Sequence, residues 1–94
     1  FYAINKYNHE KRDCQEKITK NVYFIVMKIF GERLRELRCL KGMTQKDFAK
    51  ELNVSGNTIH CWETDKQEPS MYMLIVISNF FDVSLDYLFG KTDY

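Results

Sequence analysis

The sequence predicts an all-α domain of five short helices. Three observations carry that prediction. Apolar residues recur at spacings of three and four, capping residues stand at short intervals before the apolar runs, and no credible strand follows residue 30. The 94 residues allow one small domain with a tail. Hydrophobic residues make up 45% and aromatics 15%, enough to build a modest core and to exclude a disordered chain.

Taken in order, Phe1 to Asn21 is mostly polar and lacks a clear period, apart from a candidate helix from Glu10 to Lys20. Val22-Tyr23-Phe24-Ile25-Val26 then reads as a β-prone run. A different grammar begins at Met27-Lys28-Ile29-Phe30-Gly31, and Met27 is the first methionine. Met27 is therefore a candidate natural start, with residues 1–26 an upstream extension and 27–94 the domain. An extension that belongs to the protein would add a strand or helix, or serve in dimerisation.

From Gly31 onward the pattern is helical. Leu34, Leu37 and Leu40 give one apolar face, ended by Gly42. Thr44-Gln-Lys-Asp47 has the form of a capping box, opening a helix from Gln45 to Leu52 with Phe48, Ala49 and Leu52 inward. Asn53 tolerates the left-handed conformation needed for a sharp turn. Ser55 caps a helix through Glu63 whose inward residues are Ile59 and Trp62. Thr64 to Glu68 is a polar loop. Pro69-Ser70 opens a fourth helix through Phe81, with Leu74, Ile77 and Phe81 inward. Ser84 caps a short fifth helix from Leu85 to Phe89, and Gly90 ends it.

Composition excludes several function classes. No apolar run reaches the ~18–20 residues of a membrane span, since Lys28 interrupts Val22 to Phe30. No small-residue cleavage site follows that run. Cys14, Cys39 and Cys61 are an odd set without a CxxC, which argues against a disulfide framework and for a reducing, cytoplasmic setting. His9, Cys14, Cys39, His60 and Cys61 lack metal-ligand spacing, so neither a metal nor a cofactor is expected. His60 and Cys61 are neighbours on a helix and point ~100° apart, which suits no shared proton. The chain does not read as an enzyme.

Net charge is +1, but its distribution is informative. Residues 27–66 carry eight Lys/Arg against six acids, while residues 67–94 carry Lys91 against Glu68, Asp82, Asp86 and Asp93. An anionic partner should meet the basic middle.

Two short helices separated by Asn53-Val54-Ser55 are the layout of a helix-turn-helix. Ala49 must be small where the second helix crosses it, and Val54 and Ile59 wedge the pair against the core. Side chains 56, 57, 60 and 61 then face away from Ile59 and Trp62, toward a DNA major groove.

In Gly42-Met43-Thr44-Gln45, Ala49, Val54-Ser55, Thr58-Ile59, Trp62-Glu63 and Pro69-Ser70, the chain resembles the Cro/repressor-type (XRE-like) helix-turn-helix regulators. The resemblance covers roughly residues 30 to 93. It implies a five-helix, lambda-repressor-like domain that binds operator DNA as a homodimer, with helix 56–63 in the major groove. The DNA-facing set it implies is Thr44, Gln45, Ser55, Gly56, Asn57, His60, Cys61, Thr64 and Lys66.

Within that set, Gln45 matches a position that bonds a phosphate or buttresses the recognition helix, and Ser55 a capping and phosphate-contacting one. Asn57 matches a base reader, and its amide suits the adenine N6/N7 edge. Arg38 and Glu63 match positions that members commonly fill with a partly buried ion pair. Some positions depart from the pattern. Gly56 stands where many members carry a long polar reader, and Cys61 where Arg, Lys or Gln is common. Asp65 replaces the usual Gly, and Glu68 puts an acid near the expected phosphate path. Modest affinity per subunit is expected.

The expected function is that of a sequence-specific transcriptional regulator, a repressor in the first instance, on a pseudo-palindromic operator of double-stranded DNA. The alternative is a protein-interaction module, or an antitoxin-like protein that binds an unknown partner on the same fold. Gly56, Cys61, Glu68 and the near-zero charge favour the alternative; Gln45, Ser55 and Asn57 favour DNA.

Overall fold

Helix α1 runs unbroken from Arg12 to Leu40, straight through the run read as β-prone and through Met27. The computed structural model describes residues 12–93, so the first residues of the helix expected at Glu10 lie outside the described residues. Between Arg12 and Phe30 there is no Gly or Pro to break a helix. A short run of β-branched and aromatic residues also needs a partner strand, and none forms among the described residues. The helix continues through the run instead, with Tyr23, Phe24 and Ile25 exposed and the inward packing beginning at Val26. Val26, Met27 and Phe30 turn toward Pro69, Leu74 and Phe89, around an apolar pocket of about 190 Å³.

Four shorter helices follow: α2 (Gln45–Leu52), α3 (Gly56–Glu63), α4 (Met71–Phe81) and α5 (Leu85–Leu88). The caps follow the sequence expectations closely. Thr44 Oγ1 accepts from the Asp47 amide at 3.0 Å while Asp47 Oδ2 accepts from the Thr44 amide at 3.3 Å, closing the capping box. Ser55, Ser70 and Ser84 each accept the amide three residues on. Ser70 is thus a cap, and α4 starts one residue later. Phe89 caps α5 and does not extend it. Asn53 and Asp82 take left-handed φ values of 60° and 54°, which end α2 and α4 abruptly.

The core joins all five helices through Phe30 and Leu34 of α1, Phe48, Ala49 and Leu52 of α2, and Ile59 and Trp62 of α3. Ile77, Phe81 and Leu88 complete it. Phe48 and Phe81 pack at a tilt with ring centres 5.2 Å apart. Leu74, expected inward, is half-buried against this cluster. Leu40 departs from expectation. It is 83% exposed, whereas Leu34 is fully buried and Leu37 packs at the core's edge. Two steps of three residues rotate a side chain ~120° from the starting face, so the apolar stripe has left the core by Leu40. Among the described residues, no helix is long and apolar enough to cross a membrane.

Candidate nucleic-acid interface

The chain turns from α2 to α3 in three residues. Asn53 supplies the left-handed step, and the Val54 amide bonds the Ala49 carbonyl at 3.0 Å. Ala49 is 3% exposed, leaving no room for a larger side chain beneath α3. Ile59 and Trp62 anchor α3 in the core, and Asn57 and His60 point outward. Gly56 and Cys61 are half-buried at the edges of that outward face.

Several of the sequence-predicted residues spend their side chains on holding α2 and α3 in place. Ser55 Oγ accepts the Thr58 amide at 3.1 Å and pairs with the Thr58 hydroxyl at 2.8 Å. Thr44 is committed to its capping box. Thr64 closes the other end of α3, its amide and hydroxyl both donating to the His60 carbonyl, at 3.0 and 2.8 Å. Asp65 follows with φ of 65°, the conformation for which Gly is the usual solution. The Lys66 amide then bonds the Cys61 carbonyl at 3.0 Å, leaving the Lys66 side chain exposed beside the end of α3.

Glu63 is the hub of the arrangement. Its side chain is 2% exposed and faces Arg38, itself 12% exposed. Arg38 Nε donates to Oε2 at 2.7 Å and Nη2 to Oε1 at 3.1 Å. Gln45 Nε2 donates to the same Oε1 at 3.1 Å. Gln45 thereby joins the start of α2 to the end of α3. Arg38 Nη1 also donates to the Met43 carbonyl at 2.8 Å. The Glu63 hydrogen bond holds the Arg38 guanidinium above its ordinary pKa, with burial opposing.

Two contacts escaped sequence reasoning. Arg33 donates to the carbonyls of Tyr87 and Thr92, lies 3.6 Å from the Asp93 carboxylate, and stacks 4.3 Å over the Tyr87 ring. Nothing near Arg33 in the chain signals partners 54 and 59 residues away. Glu68, expected near the phosphate path, accepts the Tyr23 phenol at 2.6 Å. That bond raises the Tyr23 pKa. A Tyr and a Glu separated by 45 residues carry no local pattern that would pair them.

Cys39 is exposed and Cys61 half-buried, both as free thiols. Among the described residues no group of three His, Cys, Asp or Glu is placed to hold a metal ion.

The arrangement of α2 and α3 is shared with known proteins. The family model described as helix-turn-helix matches residues 34–88. The chain is 41% identical over 63 residues to the HTH-type transcriptional regulator ImmR of Bacillus subtilis, covering 67% of this chain and 50% of ImmR. It is 44% identical over 59 residues to the HTH-type transcriptional activator BcrR of Enterococcus faecalis, covering 63% of this chain and 29% of BcrR. The chain therefore spans half the length of one curated relative and less than a third of the other. A crystal structure of the P22 c2 repressor protein in complex with a synthetic operator superposes with a TM-score of 0.62 at 32% identity. That match covers 67% of this chain and 96% of the repressor chain.

Proposed function

The chain belongs to the helix-turn-helix family whose model spans residues 34–88, and from that membership we propose that it is a sequence-specific DNA-binding transcriptional regulator. It places α3 in the major groove of double-stranded DNA, works as a homodimer on a pseudo-palindromic operator, and represses by occupying it. The observation that carries this reading is the outward face of α3. Asn57 and His60 are exposed on a helix whose far side is locked by Glu63 to both α1 and α2. A rigid helix with two polar side chains outward is the part that reads base edges. Gly56 and Cys61 flank that face, half-buried, and add no long side chain to it.

Affinity comes from phosphates. Lys46, Lys50 and Lys66 are exposed on or beside the helix-turn-helix and supply the cationic contacts, whereas the Lys41 ammonium sits on the Phe80 carbonyl and ring. The amino ends of α2 and α3, at Thr44-Gln45 and Ser55-Gly56, present backbone N–H groups to the same backbone. A two-fold dimer would read half-sites about one helical turn apart, ~34 Å.

Selection of bound duplexes from random DNA, followed by gel shift of the recovered sequence, tests the proposal. A common half-site recurring at one-turn spacing is the expected result. A dimer neutralising ~4–8 phosphates would give a log–log salt slope of roughly −4 to −7. No enrichment, or binding indifferent to salt, overturns the DNA reading in favour of a protein-binding module on the same fold.

A further inference from the structure

Gly31 lies in the interior of a 29-residue helix, where Gly costs about 1 kcal/mol relative to Ala. Its surroundings show what that cost secures. A Cβ built on Gly31 would stand 2.7 Å from the Glu63 carbonyl oxygen, 3.0 Å from that of Trp62 and 3.0 Å from Asp65 Oδ1. Two of those three atoms are backbone, at the last turn of α3, so they cannot swing aside as a flexible side chain would. The backbone of α1 therefore touches the backbone of α3.

Seven residues later, Arg38 of the same helix holds the Glu63 carboxylate. Seven residues are nearly two full turns, so Gly31 and Arg38 share one face of α1, ~10 Å apart. Residue 63 is gripped at both ends by one helix, its carbonyl against Gly31 and its carboxylate by Arg38. The two contacts are separated along the axis of α1, so together they constrain the angle between α1 and the end of α3 more tightly than the core contacts of Ile59 and Trp62 do alone.

We propose that Gly31 is a positioning residue for DNA discrimination, setting the angle at which α3 enters the groove. The proposal rests on the DNA-binding reading above. A methyl group at position 31 must move the last turn of α3 or the helix that touches it, by a few tenths of an ångström or more. Phosphate contacts through long lysine side chains follow such a shift easily. Base contacts through the short Asn57 amide do not.

The test uses the full chain and an operator recovered with it by selection, alongside a scrambled duplex of the same length. Gly31→Ala is expected to lose ~10-fold or more in operator affinity while affinity for the scrambled duplex changes less than ~2-fold. Backbone amide resonances of Trp62 to Asp65 should shift in the free protein. Leu34→Val, a neighbouring core change, should lower the melting temperature and leave the operator-to-scrambled ratio alone. The double variant Gly31→Ala/Asp65→Gly removes the one side-chain obstruction and relaxes the left-handed Asp; it should fold and still discriminate poorly. Operator affinity of Gly31→Ala within ~2-fold of wild type overturns the proposal. So does failure of both Gly31 variants to fold, which makes the glycine structural alone. If the wild type itself recovers no operator, the DNA reading fails, and the amide shifts still report whether Gly31 sets the end of α3.

Discussion

Arg38 and Glu63, 25 residues apart in the chain, meet through two parallel hydrogen bonds of 2.7 and 3.1 Å. The guanidinium fork matches the two carboxylate oxygens, a geometry that an ammonium group cannot reproduce. Burial of the pair removes it from competing water but also charges it a desolvation cost, so its net worth to stability is small. Its consequence is orientation. α3 packs on the core through Ile59 and Trp62, whose apolar contacts are non-directional, and the pair adds the directional constraint.

Replacing Glu63 by Gln leaves the Arg38 charge buried without its counter-ion. That should cost ~3–5 kcal/mol, a large share of the ~5–15 kcal/mol available to a small domain. Denaturant unfolding followed through Trp62, the single tryptophan, would measure it. DNA affinity should fall in the same variant. Glu51→Gln, an exposed change on α2, should stay within ~0.5 kcal/mol of wild type and leave DNA binding intact. A Glu63→Gln protein of wild-type stability would show that the pair is not what holds α3.

Asn57 and Lys66 should fail differently. Asn57→Ala should relax preference at one base pair per half-site, worth ~1–3 kcal/mol if the contact is bidentate. Lys66→Ala should weaken all sequences alike and flatten the log–log salt slope by ~0.9 for each phosphate lost. Competition binding against a panel of single-base operator variants separates the two. Identical profiles for both mutants would remove Asn57 as a base reader.

What was legible in the sequence was whatever short-range chemistry controls. Thr44 with Asp47, Asn53, Ser55 and Ser84 act over three or four residues, and each stands where its spacing places it, while Ser70 caps the helix it is expected to open. The Arg38–Glu63 pair was legible through the family resemblance, not through spacing. Val22 to Val26 are helical despite their β propensity, because without a partner strand they continue a helix anchored further on by Val26, Met27 and Phe30 against Pro69, Leu74 and Phe89. Leu40 lies off the Leu34 face because each step of three residues drifts ~60° around the helix. Tyr23 with Glu68, Arg33 with Tyr87, and Gly31 with Glu63 depend on tertiary approach, which no local pattern announces.

Arg33 should matter more than its place in a charged stretch suggests. It ties α1 to α5 through the Tyr87 carbonyl and ring, and to the chain after α5 through the Thr92 carbonyl. Hydrogen bonds from a charged donor are worth ~1.5–3 kcal/mol each in favourable cases, and stacking over an aromatic face adds ~0.5–1 kcal/mol. Arg33→Ala should therefore destabilise the domain by ~2 kcal/mol, and hydrogen exchange should quicken first in residues 85–92. Arg33→Lys should recover little, because one ammonium cannot serve both carbonyls and the ring. Unchanged exchange in that segment would contradict the strap.

Asp47 gives the domain a sensitivity to acid that can be assigned to one residue. Its carboxylate accepts the Thr44 amide, the main cause of its lowered pKa. The Thr44 hydroxyl reinforces this, burial opposes it slightly, and Lys50 and Lys46 contribute the remainder. The position near the amino end of α2 also favours negative charge. The folded-state pKa lies below the unfolded value of ~3.9, so the unfolded chain takes up the proton first as pH falls. The stabilisation is therefore fully present above that value and is lost as pH drops through the lower, folded one. Asp47→Ala should melt below wild type at neutral pH, with a gap that is constant down to about pH 5 and closes in stronger acid. Melting curves by circular dichroism across an acid series would show it. A gap of the same size at neutral pH and in strong acid would mean that the ionised carboxylate contributes nothing beyond its shape, and that the box at Thr44 works without its charge.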